Sequence, residues 1–271
     1  MGDEPGMVLV LGAGGARGVA HAGVLRRLRA ERIRFTTILG CSVGAIVGAL
    51  YGAGGMEPEE MIDRARRLRP ASLLSFALSR WRLPLLSGAA LKSAAPLIEG
   101  LERLERASFS RLRGGLRSIG VLTYDLRRRG ELLIHGGPEL EPLLPLAAAV
   151  KASAAIPGLF PPLRTESGNG RLMLVDAGWH TAVPIEHAFS PAVGARRVLA
   201  VDLGLRTCLR QAGRAYWEGL QEACGDRLVV LRPAVRGTGT MLPRRGDLDA
   251  LVAAGEQALE GEALRTVLGW Q

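Results

Sequence analysis

The sequence predicts an α/β fold in one domain, helices covering a central sheet, and three observations predict it. Short apolar, β-rich runs alternate with helical stretches along the whole chain, the pattern of a sheet with helices packed on it. The connections between them are short, so the 271 residues read as one large domain over 1–271. Glycine clusters follow the first two apolar runs, the junctions at which α/β sheets build their sites.

Taken in order, Val8 to Leu11 reads as a buried strand running into the glycine cluster Gly12 to Gly18. A helix from Val19 to Arg29 follows, with Val24, Leu25 and Leu28 on one face. Thr36 to Leu39 is a second buried strand, and Ala45 to Ala53 a helix after a turn. The uncharged stretch Thr36 to Met56, with glycine at 40, 44, 48 and 52, also has the look of a glycine-zippered membrane helix. Its β-branched start and the Gly54-Gly55 end favour strand, turn and helix instead. Glu57 to Leu68 is amphipathic, with Pro58 suited to a first helical turn. Ser72 to Pro96 mixes leucines with Arg80, Trp81 and Arg82, a composition for a lid, a membrane contact or a helix-connecting loop. Ile119 to Thr123 and Leu132 to Ile134 are neighbouring strands joined by the arginine-rich turn Asp125 to Gly130. Leu143 to Ala155 is helical; Leu172 to Val175, Val198 to Asp202 and Leu228 to Leu231 are strands; Leu248 to Leu268 is one long C-terminal helix.

Composition bounds the function. With 48% hydrophobic and 23% charged residues the chain can offset its ordering entropy, which excludes a disordered protein. The formal charge is +9, and Lys92 and Lys151 are the only lysines, so arginine carries it. Nucleic acid, an anionic membrane and an acidic substrate all suit that excess, as does a codon bias toward arginine. Only 4% of residues are aromatic, which weakens the nucleic-acid reading because single-strand binders need stacking platforms. Cys41, Cys208 and Cys224 are too few and scattered for a disulfide framework or a zinc site, and a reducing, cytoplasmic setting is expected. Asp3 and Glu4 stand where an export signal carries positive charge.

Gly40-Cys41-Ser42-Val43-Gly44 is a G-x-S-x-G sequence between a strand and a helix, the setting of a nucleophile elbow. Flanking glycines remove Cβ atoms from a sharp turn, and Ser42 then sits at a helix N-terminus where the Val43 amide favours developing negative charge. The plain alternative is a serine N-cap with packing glycines. The loop Gly12 to Gly18 misfits a dinucleotide fingerprint, since its glycines fall as G-x-G-x-x-x-G, one residue too long. Its second use is an oxyanion hole, and if the first two strands are parallel neighbours both turns open at one sheet edge. A serine needs a base. His180 and His187 follow Asp176, so a Ser, Asp, His order is available, but Asp176 in Val175-Asp176-Ala177-Gly178 directly ends a strand and can reach a facing serine itself.

These residues resemble the signature blocks of the patatin-like phospholipases. Gly14-Gly15-Ala16-Arg17-Gly18, then Gly40 to Gly44, then Asp176-Ala177-Gly178 stand in that family's order, and Ser153 to Pro162 is similar to its Ser-x-x-x-Pro-x-x-Phe-x-P block. The likeness spans residues 7 to 204 and is greatest to the small bacterial members related to neuropathy target esterase, through the run Gly15 to Leu25. It implies a three-layer α/β/α sandwich with a mostly parallel sheet. It also implies a Ser-Asp dyad: Ser42 as nucleophile, Asp176 as general base, and the amides around Gly14, Gly15 and Ala16 as oxyanion hole. Arg17 would brace the glycine loop, His21 would pack on the first helix, and Pro157 to Pro162 would supply shape. Two positions depart from the family pattern. Ala13 replaces a usual glycine yet still offers its amide, and Ala182 replaces an asparagine whose side chain would orient the aspartate loop.

The expectation is a serine acyl hydrolase of phospholipids or lysophospholipids, with no metal or cofactor, no nucleic acid, and peripheral contact with anionic membrane through residues such as Arg80 and Arg82. The rival readings are a catalytically silent lipid-binding relative and a nucleotide-binding protein using the Gly12 to Gly18 loop.

Overall fold

The computed structural model describes residues 6–67, 95–168, 170–205, 208, 210–211, 213–235 and 247–271. Most of the Ser72 to Pro96 stretch, with Arg80, Trp81 and Arg82, lies outside the described residues.

The first apolar run is a fully buried strand, β1 (Met7–Leu11), followed by the 3-10 turn Gly15–Gly18 and helix α1 (Val19–Ala30). Next come β2 (Thr37–Cys41), α2 (Val43–Gly52), α3 (Pro58–Arg67) and α4 (Ala95–Arg106). The stretch that resembled a membrane helix is therefore a five-residue strand and a ten-residue helix. Among the described residues no helix is long and apolar enough to cross a membrane. The chain continues through β3 (Ser118–Asp125), β4 (Gly130–Gly136), α5 (Leu146–Ser153), β5 (Leu163–Ser167) and β6 (Gly170–Asp176). It ends with α6 (Ile185–Phe189), β7 (Arg197–Val201), α7 (Arg214–Cys224), β8 (Leu228–Leu231), α8 (Asp247–Gln257) and α9 (Gly261–Leu268).

Eight strands form one sheet in the order β5-β6-β3-β2-β1-β7-β8, with β4 also on β3. β3, β2, β1, β7 and β8 pair in parallel, β4 and β6 run against β3, and β5 runs against β6, so six of the eight strands share one direction. One apolar layer joins Leu9, Leu11 and Ile38 to the inner faces of α1, α2, α5, α8 and α9; the other joins Val8, Val10, Leu39 and Val198 to Ile185, Ala188 and Cys224. Burial on both faces explains why the parallel strands are continuous apolar runs.

Most predicted elements shift by one or two residues at their ends, and three departures are larger. The C-terminal helix is two, because Gly261 takes a left-handed φ of 58° after an extended Glu260, which stops the intrahelical ladder. The helix predicted over Leu143 to Ala155 is the shorter α5. β5, absent from the sequence reading, alternates half-buried and exposed residues at the sheet edge, so it carries no apolar run to detect.

Candidate active site

β3 is what brings the site together. Along one side of β3, β2 pairs as far as Cys41 opposite Leu122. β4 fills the other side from Ile119 to Asp125, so β6 takes the place that β2 leaves, arriving from the opposite direction and ending at Asp176 opposite Thr123, the next residue along. Strand ends 135 residues apart in sequence thus meet head to head, and Cys41 Sγ lies 3.9 Å from Asp176 Oδ1.

Ser42 follows directly. Its φ of 54° and ψ of −124° lie where a side chain is strained, the sharp turn an exposed nucleophile requires. The glycines on either side are needed for close approach. A Cβ on Gly44 would stand 2.0 Å from the Leu11 carbonyl oxygen, and one on Gly40 2.5 Å from Ala45 Cα, so neither position accepts alanine without movement. The strained turn is held by a buried serine: the Ser42 amide donates to Ser153 Oγ at 2.8 Å, and the Ser153 hydroxyl donates to the Leu122 carbonyl at 2.7 Å. The sequence reading quoted Ser153 as the first residue of the Ser-x-x-x-Pro-x-x-Phe-x-P block but gave it no role, and so missed this bridge. Its signals were the family block that begins at Ser153 and a hydroxyl at the end of a helix whose other polar residue is Lys151.

Asp176 is 5% exposed. Burial pushes its carboxyl up to about 6, against hydrogen bonds from the Ser42 side chain, the Gly178 amide and the Cys41 thiol. The Gly178 amide donates to Oδ1 at 2.7 Å, and Asp176 N–H donates to the Ala155 carbonyl at 3.0 Å, so the segment between Ser153 and Pro157 helps to seat the aspartate strand. Ala177 accepts from the amides of His180 and Thr181, both at 2.8 Å, closing the turn. Burial, then the charge of Asp176, holds the Cys41 thiol well above its ordinary value, so it stays neutral beside the carboxylate.

The glycine loop lies on the other side of Ser42. Gly12 N–H donates to Val201 O at 3.0 Å and Ala13 N–H to Ala182 O at 2.8 Å, so the Ala13 amide expected to be on offer is engaged. The amides of Gly14, Gly15, Ala16 and Val43 meet no acceptor among the described residues, as the first amides of helical turns do. Gly18 packs against Val43, where a Cβ would come within 2.1 Å of Cγ2, and so joins the loop to α2. Arg17 braces the loop as expected, donating to Leu203 O at 3.3 Å and Gly204 O at 3.4 Å. His21 does more than pack: it is fully buried, burial lowers it to about 4, and its Nε2 bonds the Gly12 carbonyl at 2.8 Å. A neutral ring with its proton on Nε2 is the donor.

The remaining histidines stand apart. His180 Nδ1 and His187 Nε2 each bond Glu131, at 2.6 Å. Burial would raise Glu131, but hydrogen bonds with His187, Thr181 and His180 outweigh it and bring it to about 2. The backbone next to Ala182 is held from two elements away: Gln211 accepts from Val183 N–H at 2.9 Å and donates to Val183 O at 2.8 Å. No local spacing in the sequence announces either partner.

A mostly parallel sheet of this topology, covered by helices and carrying a glycine loop and a strained serine turn at one edge, defines the class as α/β. The patatin-like phospholipase family model matches residues 9–189, and the chain belongs to that family. It is 30% identical to an uncharacterized NTE family protein of Mycobacterium tuberculosis over 203 residues, 75% of this chain and 50% of that one. YqhO of Bacillus subtilis is 28% identical over 193 residues, 65% of this chain and 64% of its own. The chain thus spans about half to two thirds of these relatives. Among solved structures, human GIVD cytosolic phospholipase A2 matches with a TM-score of 0.59 and 14% identity, over 98% of this chain and 59% of that one. VipD of Legionella pneumophila matches with a TM-score of 0.53 and 12% identity, over 98% and 67%. At such identities the likeness is one of fold.

Proposed function

We propose that the chain is a single acyl hydrolase domain that cleaves lipid acyl esters, of phospholipid or lysophospholipid type, with a Ser-Asp dyad. The observation that carries this reading is the head-to-head meeting of β2 and β6 on β3, which sets the strained Ser42 directly after Cys41, whose Sγ lies 3.9 Å from the buried Asp176 Oδ1. Ser42 Oγ attacks the ester carbonyl carbon as its proton passes to Asp176. The carbonyl oxygen becomes negative where the amides of Gly14, Gly15, Ala16 and Val43 point, and such donors lower the barrier more than any other single device. The C–O bond to the leaving alcohol breaks, and Asp176 returns the proton to that oxygen. Water, activated by Asp176, then releases the fatty acid and regenerates Ser42.

Family membership supports a lipid substrate, and engagement of His180 and His187 by Glu131 supports a base other than histidine. The human phospholipase A2 that shares the fold was solved with a methyl linolenyl fluorophosphonate, a probe that suits a test here. A fluorophosphonate is expected to label the folded protein at Ser42 and to leave Ser42→Ala unlabelled. A folded wild-type protein that resists labelling and cleaves no p-nitrophenyl ester would overturn the enzyme reading.

A further inference from the structure

The register that joins the candidate dyad also lifts two hairpins beyond it. Asp176 is opposite Thr123, and β3 runs on to Asp125 before turning at Leu126 to Arg129 into β4. The turn therefore stands three residues past the level of the carboxylate, about 10 Å at ordinary strand rise. It lies on the sheet edge at which Ser42 opens.

The turn is Leu126-Arg127-Arg128-Arg129, and every residue of it is exposed. Leu126, at 39%, is one of the few large apolar side chains exposed among the described residues. Asp125 is 1% exposed and fixes the turn from below. Its Oδ1 accepts from the Arg127 amide at 3.0 Å and from the Met173 amide of β6 at 3.2 Å, and its Oδ2 lies 3.6 Å from Arg128 Nε. Leu126 N–H donates to Met173 O at 2.9 Å, so the β3–β4 tip is tied to the β5–β6 hairpin, which adds Arg164 and Arg171. The one acidic side chain exposed there, Glu166, is paired with Arg171 at 2.9 Å.

The opposite sheet edge supplies the contrast. Arg32 and Arg34 are exposed in the turn before β2, yet Ile33 between them is 6% exposed, and Glu31 adjoins. Basic charge occurs at both edges, and so does an exposed leucine, Leu140 beyond β4, but Leu140 stands between Glu139 and Glu141 whereas Leu126 leads directly into three arginines.

We infer that the Leu126 to Arg129 turn is the docking tip for an anionic lipid surface, its arginines meeting lipid phosphates and Leu126 entering the interface. This rests on the lipid hydrolase reading only for its purpose, because binding is measured without turnover. An arginine near an anionic surface strengthens attachment about fivefold, so two give roughly 25-fold. A tip pinned by a buried carboxylate loses little conformational freedom on docking.

The test uses the Ser42→Ala background and sedimentation with phosphatidylcholine vesicles, with and without phosphatidylglycerol. Arg127→Gln with Arg129→Asn is compared with Arg32→Asn with Arg34→Gln; Arg129 and Arg32 share left-handed φ values of 53° and 56°, so the pairs match in charge and backbone demand. The tip pair is expected to lose at least tenfold in affinity for anionic vesicles while the distant pair loses less than threefold, at unchanged melting temperatures, and Leu126→Ser is expected to weaken binding further. Equal losses in both pairs, no loss in the tip pair, or no preference of the parent for anionic vesicles would each overturn the assignment. Fluorophosphonate labelling of the tip variants carrying native Ser42 is expected to match wild type, so a failed hydrolase reading is told apart from a failed docking tip.

Discussion

Replacing Asp176 by asparagine separates what the carboxylate does from what it costs. The folded protein holds this carboxyl at about 6, against an ordinary 3.8, chiefly because it is buried. A folded-state pKa above the unfolded one means the native state binds the proton more tightly. The stability that Asp176 contributes is therefore greatest below about 4, falls as the pH rises from 3.8 to about 6, and is constant above. At about 1.4 kcal/mol for each pH unit, ionisation of Asp176 costs the native state ~3 kcal/mol at neutral pH. Asparagine keeps the size and an oxygen for the Gly178 amide but does not titrate. Denaturant unfolding of both proteins from pH about 4 to about 8 should show their stability difference moving by ~2.4 kcal/mol in favour of Asp176→Asn, with the change centred between the two pKa values. Activity on a soluble p-nitrophenyl ester should meanwhile fall by about 10² to 10⁴, the contribution of a positioned general base. Wild-type kcat/KM should rise with pH through about 6 as the base ionises. A stability difference flat in pH would refute the buried-charge account, and an active Asp176→Asn would refute the assignment of the base.

Two further substitutions probe the supports. Ser153→Ala leaves the buried Ser42 amide and Leu122 carbonyl without their bridge, at about 1 to 3 kcal/mol for each unpaired group; stability measured in denaturant should fall by that order, and kcat per folded molecule by more than tenfold, with partial rescue by Ser153→Cys. Wild-type turnover in Ser153→Ala would show that the strained elbow holds itself. The double variant His180→Gln, His187→Gln is expected to keep ester hydrolysis within about tenfold of wild type, since loss of a general base costs at least 10²; a larger loss per folded molecule would restore a histidine to the mechanism.

The sequence by itself determined the parallel strands, the two glycine turns and the chemistry they suggest. Residues buried on both faces leave unbroken apolar runs such as Met7–Leu11, and a serine between obligatory glycines announces a turn too tight for side chains. Those signals are local, each written within a few neighbouring residues. The family blocks added the pairing of Ser42 with Asp176 as an implication. Only the tertiary structure decided how they meet, because a register is a relation between distant segments: β6 continues the line of β2 on β3 through the pairs Cys41 with Leu122 and Asp176 with Thr123. The same holds for Ser153 beneath the elbow, Glu131 taking both histidines, and Gln211 holding the Val183 backbone. Each is a polar group whose partner lies on another element. The sequence shows that such a group exists, and only the folded sheet shows which buried atom it satisfies.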